Sequence, residues 1–327
     1  MEMSERGDAQ VVFLGTMGLP EGEIRDLAAG ILGTGFSLRF PALVSVEPEA
    51  IIAQAHDADA IIMSNLPFPG SVVRGCPRLR LLSLAFTGTD RIDLAACQAA
   101  GVAVCNTPDY STTAVAEFTL GLLLAVLRHL PEALVAARNG RTWEGLAGGE
   151  LAGRTVGLVG TGHIGLHMAR LLKGFGCSLL GYARRPSEEG ESLGIVYTGL
   201  DDLLVRSDVV SLHLPLTDQT SHLIDQWRLA LMKPSAILVN TARGGLVDNG
   251  ALADALREGR LAGAGLDTVD VRPPLPRNHP LLAIPNALVT PHMAFATREA
   301  FARRSRIALE NVAAWRRGQL QNVVAQP

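Results

Sequence analysis

The sequence predicts an α/β protein built as two doubly wound parallel-sheet domains. Three observations carry that expectation. Short, continuously apolar runs rich in β-formers alternate with helical stretches along the whole chain, the pattern of parallel strands covered by helices on both faces. The length, 327 residues, exceeds one comfortable core and suits two domains. A glycine turn, GTGHIG at 160–165, stands directly between an apolar run and a helical stretch, as in a nucleotide-binding βαβ unit.

In chain order, the first third carries strands at 11–15 (VVFLG), 60–63 (AIIM), 79–86 (LRLLSLAF) and 102–106 (VAVCN). A long helix follows over about 112–130, ended by Pro131 because proline cannot continue a helix, and it reads as a connector between two lobes. The second region repeats the logic with strands at 155–160, 178–183, 209–214, 236–242, 262–267 and 287–292. Six parallel strands with intervening helices complete a doubly wound sheet. From Thr297 to about Arg317, apolar residues including Ala300, Ile307, Ala308 and Val312 interleave with basic ones at helical spacing, an amphipathic helix expected to return to the first lobe.

Composition narrows the function. With 48% hydrophobic and 19% charged residues the chain reads as compact and not disordered, and a net charge of -3 with pI near 6.2 supplies no basic field for nucleic acid. Cys76, Cys97, Cys105 and Cys177 form no CxxC pair and read as reduced, mostly buried thiols. The polar start, MEMSERGDAQ, lacks the order of a signal peptide, and the most apolar run, FTLGLLLAVL at 118–127, falls short of the roughly 20 residues of a membrane span. A cytoplasmic protein handling small molecules, with no membrane partner, is expected. His163 and His167 sit four apart on a helix with no third ligand, so no metal is expected.

In the glycine turn, Gly160 permits the tight bend, Gly162 lets backbone approach a pyrophosphate, and Gly165 allows helix and strand to pack closely. A carboxylate near the end of the next strand would accept the adenosine ribose hydroxyls; here Ala183 is followed by Arg184 and Arg185. Two guanidiniums suit a ribose 2′-phosphate, which favours NADP over NAD, the other reading being two solvated loop arginines. Further on, VNTARGGLVD puts Arg243 at the carboxyl end of a strand, GLDTVD puts Asp267 at the end of the next, and TPHMAFAT puts His292 after the one following. Ligands bind at that edge of open α/β sheets.

With these stretches, NTPDYSTTAVAEFTLGLLLAVLRHL (106–130), HLPLTDQT (213–220), AGLDTVD (264–270) and HPLLAIPNALVTPH (279–292), the sequence resembles the D-isomer-specific 2-hydroxyacid dehydrogenases over most of residues 80–297. The resemblance implies a Rossmann cofactor domain (106–295) inserted into a flavodoxin-like substrate domain (1–105 plus 296–327), and a homodimer formed around the cofactor domain. It implies hydride transfer between C2 of a small 2-oxo acid and the nicotinamide, with Arg243 gripping the substrate carboxylate and His292 supplying the proton. For the cofactor it implies contacts from Thr87, His163, Ile164, His213, Leu214, Pro215, Thr220, Thr241, Ala242 and Asp267, the last to the nicotinamide amide. Gly88 and Thr89 would present backbone to the substrate. The arginine-type pocket is similar to that of the NADPH-using reductases of the family, which points to a glyoxylate- or hydroxypyruvate-like 2-oxo acid.

One departure stands out. The family places a glutamate five positions after the strand-end aspartate, where it supports the protonated histidine; here that position is Arg272, and the nearest acidic residue is Asp270. The change reads equally as altered chemistry, with reduction improving as pH falls, or as a contact to a second acidic group of the substrate. A cofactor-sensing binding protein with weakened catalysis is the alternative reading, and a formate- or phosphite-oxidising relative a third.

Overall fold

All ten apolar runs read as strands form strands, and the computed structural model, which describes residues 8–42 and 45–326, adds three more. In chain order the elements are β1 (Ala9–Leu14), α1 (Glu21–Leu32), β2 (Phe36–Arg39), α2 (Pro48–Ala55), β3 (Ala60–Met63), α3 (Gly70–Gly75), β4 (Leu81–Leu84), α4 (Leu94–Ala99) and β5 (Ala103–Cys105). Then come α5 (Thr112–Leu127), α6 (Leu130–Arg138), β6 (Thr155–Val159), α7 (His163–Gly174), β7 (Ser178–Tyr182), α8 (Glu188–Ser192), β8 (Ile195–Tyr197), α9 (Leu200–Arg206) and β9 (Val209–Leu212). The chain closes with α10 (Gln226–Leu231), β10 (Ile237–Asn240), α11 (Asn249–Arg257), β11 (Gly263–Leu266), β12 (Ala287–Val289), α12 (Arg298–Arg316) and β13 (Val323–Ala325). The described residues up to Ser111 and from Ala296 onward make one compact unit, and Thr112–Phe295 the other.

In the first unit the sheet order is β13-β5-β4-β3-β1-β2, parallel throughout except for β13, which pairs antiparallel with β5 at the edge. Without β13 this is the 2-1-3-4-5 order of flavodoxin-like sheets. Residues alternate between faces with period two, so Ile61 and Met63 of β3 join one core with Phe68 and Leu82, while Ala60 and Ile62 join another with Phe13 and Leu81. That second core is closed by Ala308, Leu309 and Val312 of α12, which packs on α1 and β4. The returning helix thus docks where its apolar stripe finds a sheet face. Thr297 caps it by accepting the Ala300 N–H, and the Ser83 hydroxyl, inside the sheet, donates to the Ala308 carbonyl at 3.1 Å. Asn106 donates its N–H to the Asn322 carbonyl (3.0 Å) and accepts from the Asn311 amide (2.9 Å), so the boundary falls after Ser111 where the sequence reading placed it after Cys105.

The second unit carries the sheet β12-β11-β10-β9-β6-β7-β8, parallel at every pairing. Read from β8, this is the 3-2-1-4-5-6 order of a Rossmann sheet with β12 added, and its strand order reverses between β6 and β9. It has seven strands where six were expected, because β8 pairs at the edge through only three residues, Ile195–Tyr197, an apolar run too short to announce a strand.

Helix α5 corrects two expectations. It buries Ala114, Ala116, Leu122 and Leu123 against α7, β10 and β11, so it is a core helix of the second unit and not a connector. Glycines in β11 make room for it: a Cβ on Gly265 would lie 3.2 Å from the Leu122 Cβ, and one on Gly263 2.6 Å from Val126 Cγ1. The helix ends at Leu127, before the proline. Pro131 lies in the first turn of α6, where its missing N–H costs nothing, after a bend of 60°. Among the described residues no single helix is long and apolar enough to cross a membrane. All four cysteines are free thiols, and burial pushes Cys76, Cys97 and Cys105 up to about 11.

Candidate active site

At the end of β6 the chain turns at Gly160, whose φ of +103° is open only to glycine and whose N–H donates to the Tyr182 carbonyl of β7 at 2.8 Å. A Cβ on Gly160 would sit 2.8 Å from the His213 backbone at the end of β9, and one on Gly165 would overlap the Gly160 carbonyl. The turn is therefore wedged into the point where the strand order reverses. Gly162 differs: a Cβ there would meet nothing within 4 Å. It caps α7 without a side-chain hydrogen bond, and no acidic side chain stands in the first turn. The space beside Gly162 is therefore open at the positive end of the helix dipole, which fits the pyrophosphate of a dinucleotide.

From this turn a series of backbone contacts runs along the carboxyl edge of the sheet. His213 follows β9, and its Nε2 lies 3.0 Å from the Ser211 hydroxyl; burial pulls its imidazole down to about 4, so it is neutral at pH 7. The segment after it is closed by Thr220, whose hydroxyl donates to the Pro215 carbonyl (2.7 Å) and accepts the Thr217 N–H (2.8 Å). Leu216 of that segment would meet a Cβ on Gly245 at 3.0 Å, and His222 donates its N–H to the Gly245 carbonyl. One residue earlier, a Cβ on Gly244 would overlap the Val269 carbonyl, so the loops after β10 and β11 touch backbone to backbone.

Arg243 is held at the tip of the β10 loop. The buried Asn240 brackets it, accepting the Ala242 N–H at 3.0 Å and donating to the Arg243 carbonyl at 2.9 Å, an Asx-type turn. The Arg243 guanidinium also donates to the Ala242 carbonyl at 2.9 Å, which occupies both backbone groups of Ala242. Thr241 turns its buried hydroxyl inward to the Thr119 hydroxyl of α5 (2.7 Å), leaving only backbone for a cofactor.

Asp267 is 1% exposed, and its carboxylate clamps the next loop. Oδ1 accepts the Thr290 hydroxyl (2.6 Å) and the Met293 N–H (2.9 Å), and Oδ2 accepts the Ala294 N–H (2.8 Å). The residue so bracketed is His292, half-buried, with a φ of +56° that a non-glycine residue adopts only when its surroundings fix it. Its imidazole and the Phe295 ring meet nearly at right angles, 5.9 Å between centroids. Asp267, expected as a cofactor contact, thus first acts on the histidine loop and keeps at most one acceptor position on Oδ2 for anything else.

The second unit thus gathers Gly160, Gly162, His163, Ile164, Gly165, His213, Leu214, Pro215, Thr220, Thr241, Ala242, Arg243, Asp267 and His292 at one edge of its sheet. Arg184 and Arg185 follow β7 on the other side of the glycine turn, both exposed. Thr87, Gly88 and Thr89 belong to the first unit, in the turn after β4, where Thr87 donates to the Thr107 carbonyl at 3.0 Å. Arg272 is exposed in the loop after β11. Asp270 is taken by the buried His279, whose Nε2 lies 2.9 Å away while its Nδ1 accepts the Leu281 N–H at 3.4 Å. Asn240 and His279 escaped the sequence reading; an asparagine closing a strand before a turn is the signal for the first, and the second has none.

Residues 120–294 match the family model described as D-isomer specific 2-hydroxyacid dehydrogenase, NAD binding domain. A glyoxylate reductase of Aeropyrum pernix is 42% identical over 282 residues, covering 83% of this chain and 84% of that one. The chain belongs to the D-isomer-specific 2-hydroxyacid dehydrogenase family. Among solved structures of this family's fold, the TT0316 protein of Thermus thermophilus superposes with a TM-score of 0.87 at 37% identity, covering 97% of this chain and 100% of that one. A glyoxylate reductase from Paecilomyes thermophila gives 0.85 at 28% identity, with 97% and 98% covered. As a member of the family, the protein is a nicotinamide-dependent oxidoreductase that moves a hydride between the cofactor and a 2-oxo or 2-hydroxy acid. The weakened binding-protein reading gains nothing from these relatives.

Proposed function

We propose that this dehydrogenase works as a reductase of a small glyoxylate- or hydroxypyruvate-like 2-oxo acid, with NADPH preferred to NADH. The observation that carries the cofactor preference is the pair Arg184 and Arg185, exposed beside the glycine turn where a ribose-binding carboxylate would stand. The names of the relatives support the substrate class. When bound, the nicotinamide supplies the hydride to C2. The chain's own residues do the rest. Arg243, with its backbone locked by Asn240, holds the substrate carboxylate and polarises the carbonyl oxygen. His292 donates a proton to the developing alkoxide from a loop that Asp267 keeps in register. The N–H groups opening α7, with His163 and Ile164, bind the pyrophosphate, and the backbone from His213 to Pro215 borders the cofactor site.

The first unit is assigned the substrate, with Gly88 and Thr89 as its contacts and Thr87 toward the cofactor, and the second the dinucleotide. A homodimer is supported by the apolar face of α6 and the segment after it, where Leu130, Leu134, Val135 and Trp143 are all more than half exposed. A cytoplasmic setting accords with four free thiols. The test is kcat/KM for both cofactors in the wild type and in Arg184→Ala/Arg185→Ala, using a panel of 2-oxo acids. An NADPH preference that falls about tenfold per arginine removed supports the reading; an unchanged NADPH/NADH ratio refutes it.

A further inference from the structure

We propose that Tyr197 is a specificity-determining positioning residue, which fixes the arginine loop against the glycine turn and thereby sets discrimination between NADPH and NADH. The inference rests on the reading of Arg184 and Arg185 as a 2′-phosphate site and adds what holds that site in place.

Tyr197 lies at the end of the edge strand β8, paired with Gly181 of β7. Its ring covers that glycine, on which a Cβ would lie 3.1 Å from two ring atoms. The ring spans the width of β7, so the hydroxyl arrives at the glycine turn and donates to Thr161 Oγ1 at 3.0 Å. The same oxygen lies 3.4 Å from both the N–H and the hydroxyl of Ser187, the residue that closes the arginine loop and caps α8 by accepting the Gly190 N–H. A Cβ on Gly190 would overlap the phenol oxygen, so α8 can sit where it does only because that position is glycine. Arg170 of α7 pairs with Glu189 of α8, a second tie between the same two elements.

The segment from Ala183 to Pro186 is thus pinned at both ends to one turn. At its start the Gly160 N–H donates to the Tyr182 carbonyl; at its end Ser187 meets the Tyr197 hydroxyl, itself bonded to Thr161. Two exposed arginines on a free loop would have to be ordered when a phosphate binds, and that ordering would subtract from affinity. With both ends fixed, the loop that carries the two arginines is held beside the glycine turn, where a ribose phosphate attached to the bound pyrophosphate would lie. The phenol hydroxyl carries no charge and gives NADH no comparable advantage.

The test is a double-mutant cycle on kcat and KM for NADPH and NADH in the wild type, Tyr197→Phe, Arg184→Ala/Arg185→Ala and the triple variant, with thermal melting of each. Loss of one anchoring hydrogen bond should lower the NADPH/NADH ratio of kcat/KM by about tenfold in Tyr197→Phe, through KM for NADPH, with kcat for either cofactor nearly constant. In the arginine-free background the same substitution should have no further effect on the ratio. Thr161→Val should reproduce Tyr197→Phe, and Thr161→Ser should restore the wild-type ratio. Equal losses with both cofactors, or a Tyr197→Phe effect that persists without the arginines, overturns the proposal in favour of a general structural role. If the wild type shows no NADPH preference and the arginine variant changes nothing, the 2′-phosphate reading fails and takes this proposal with it. A wild type that prefers NADPH through the arginines, with Tyr197→Phe unchanged, overturns the positioning role alone.

Discussion

Asp267→Asn separates the two roles open to the most deeply buried carboxylate of the site. The carboxylate accepts three hydrogen bonds, from the Thr290 hydroxyl, the Met293 N–H and the Ala294 N–H, and is 1% exposed. Asparagine keeps one carbonyl oxygen, enough for Thr290 and Met293, and turns an NH₂ toward the Ala294 N–H. One charge-assisted bond is lost and a buried donor faces a donor, at a cost of about 2–4 kcal/mol. In a unit of this size that lowers its melting transition by roughly 4–16 °C. Because His292 holds a left-handed φ of +56° only while its flanks are fixed, kcat should fall as well. Thermal and urea unfolding with steady-state kinetics measure both effects. Thr290→Val, which removes only the hydroxyl donor, should cost about 1–2 kcal/mol. If Asp267→Asn melts with the wild type and raises only KM for the cofactor, the clamp is wrong and the carboxylate serves the nicotinamide.

Other perturbations follow from the same geometry. Burial holds His213 at about 4 in the fold against 6.5 when unfolded, so the unfolded chain binds the extra proton first; stability is intact above pH 6.5 and declines as pH falls toward 4. By pH 5 the loss should be about 2 kcal/mol, and urea titrations at pH 7 and pH 5 should lose that difference in His213→Gln. Gly244→Ala drives a Cβ into the Val269 carbonyl, so it should cost several-fold in kcat/KM together with about 1–3 kcal/mol of stability; a silent substitution would deny that the loops after β10 and β11 support each other. Trp143→Asp puts a charge on the exposed apolar face around α6, and equilibrium sedimentation should find a monomer in place of the dimer proposed for the wild type; equal masses for the two would refute that interface.

The sequence announces elements wherever burial is two-sided. β3, β4 and β9 are buried at every position, and continuous apolar runs mark them. The strands it conceals are edge strands: β2 is half-buried throughout with the composition FSLR, and β8 and β13 have three residues each. Proline is compatible both with the residue after a helix and with the first turn of the next, so Pro131 alone does not place the break; the packing of α5 does. For the candidate site, Arg243 and His292 stand out in the sequence by motif and by their place at strand ends. Contacts between distant residues do not. Tyr197 meets Thr161 36 positions away, and Asp267 meets Ala294 27 positions away, and no local spacing encodes either contact. Arg272 remains the unexplained departure: the structure places it on an exposed loop and gives the neighbouring Asp270 to His279.

NADPH oxidation with glyoxylate and hydroxypyruvate, in the wild type and in His292→Ala, tests a reductase with Arg243 as substrate anchor and His292 as proton donor. The wild type should turn over, and His292→Ala should lose about 10²–10⁴-fold in kcat with cofactor affinity retained. A His292→Ala variant that reduces either acid at the wild-type rate would contradict the proton-donor role.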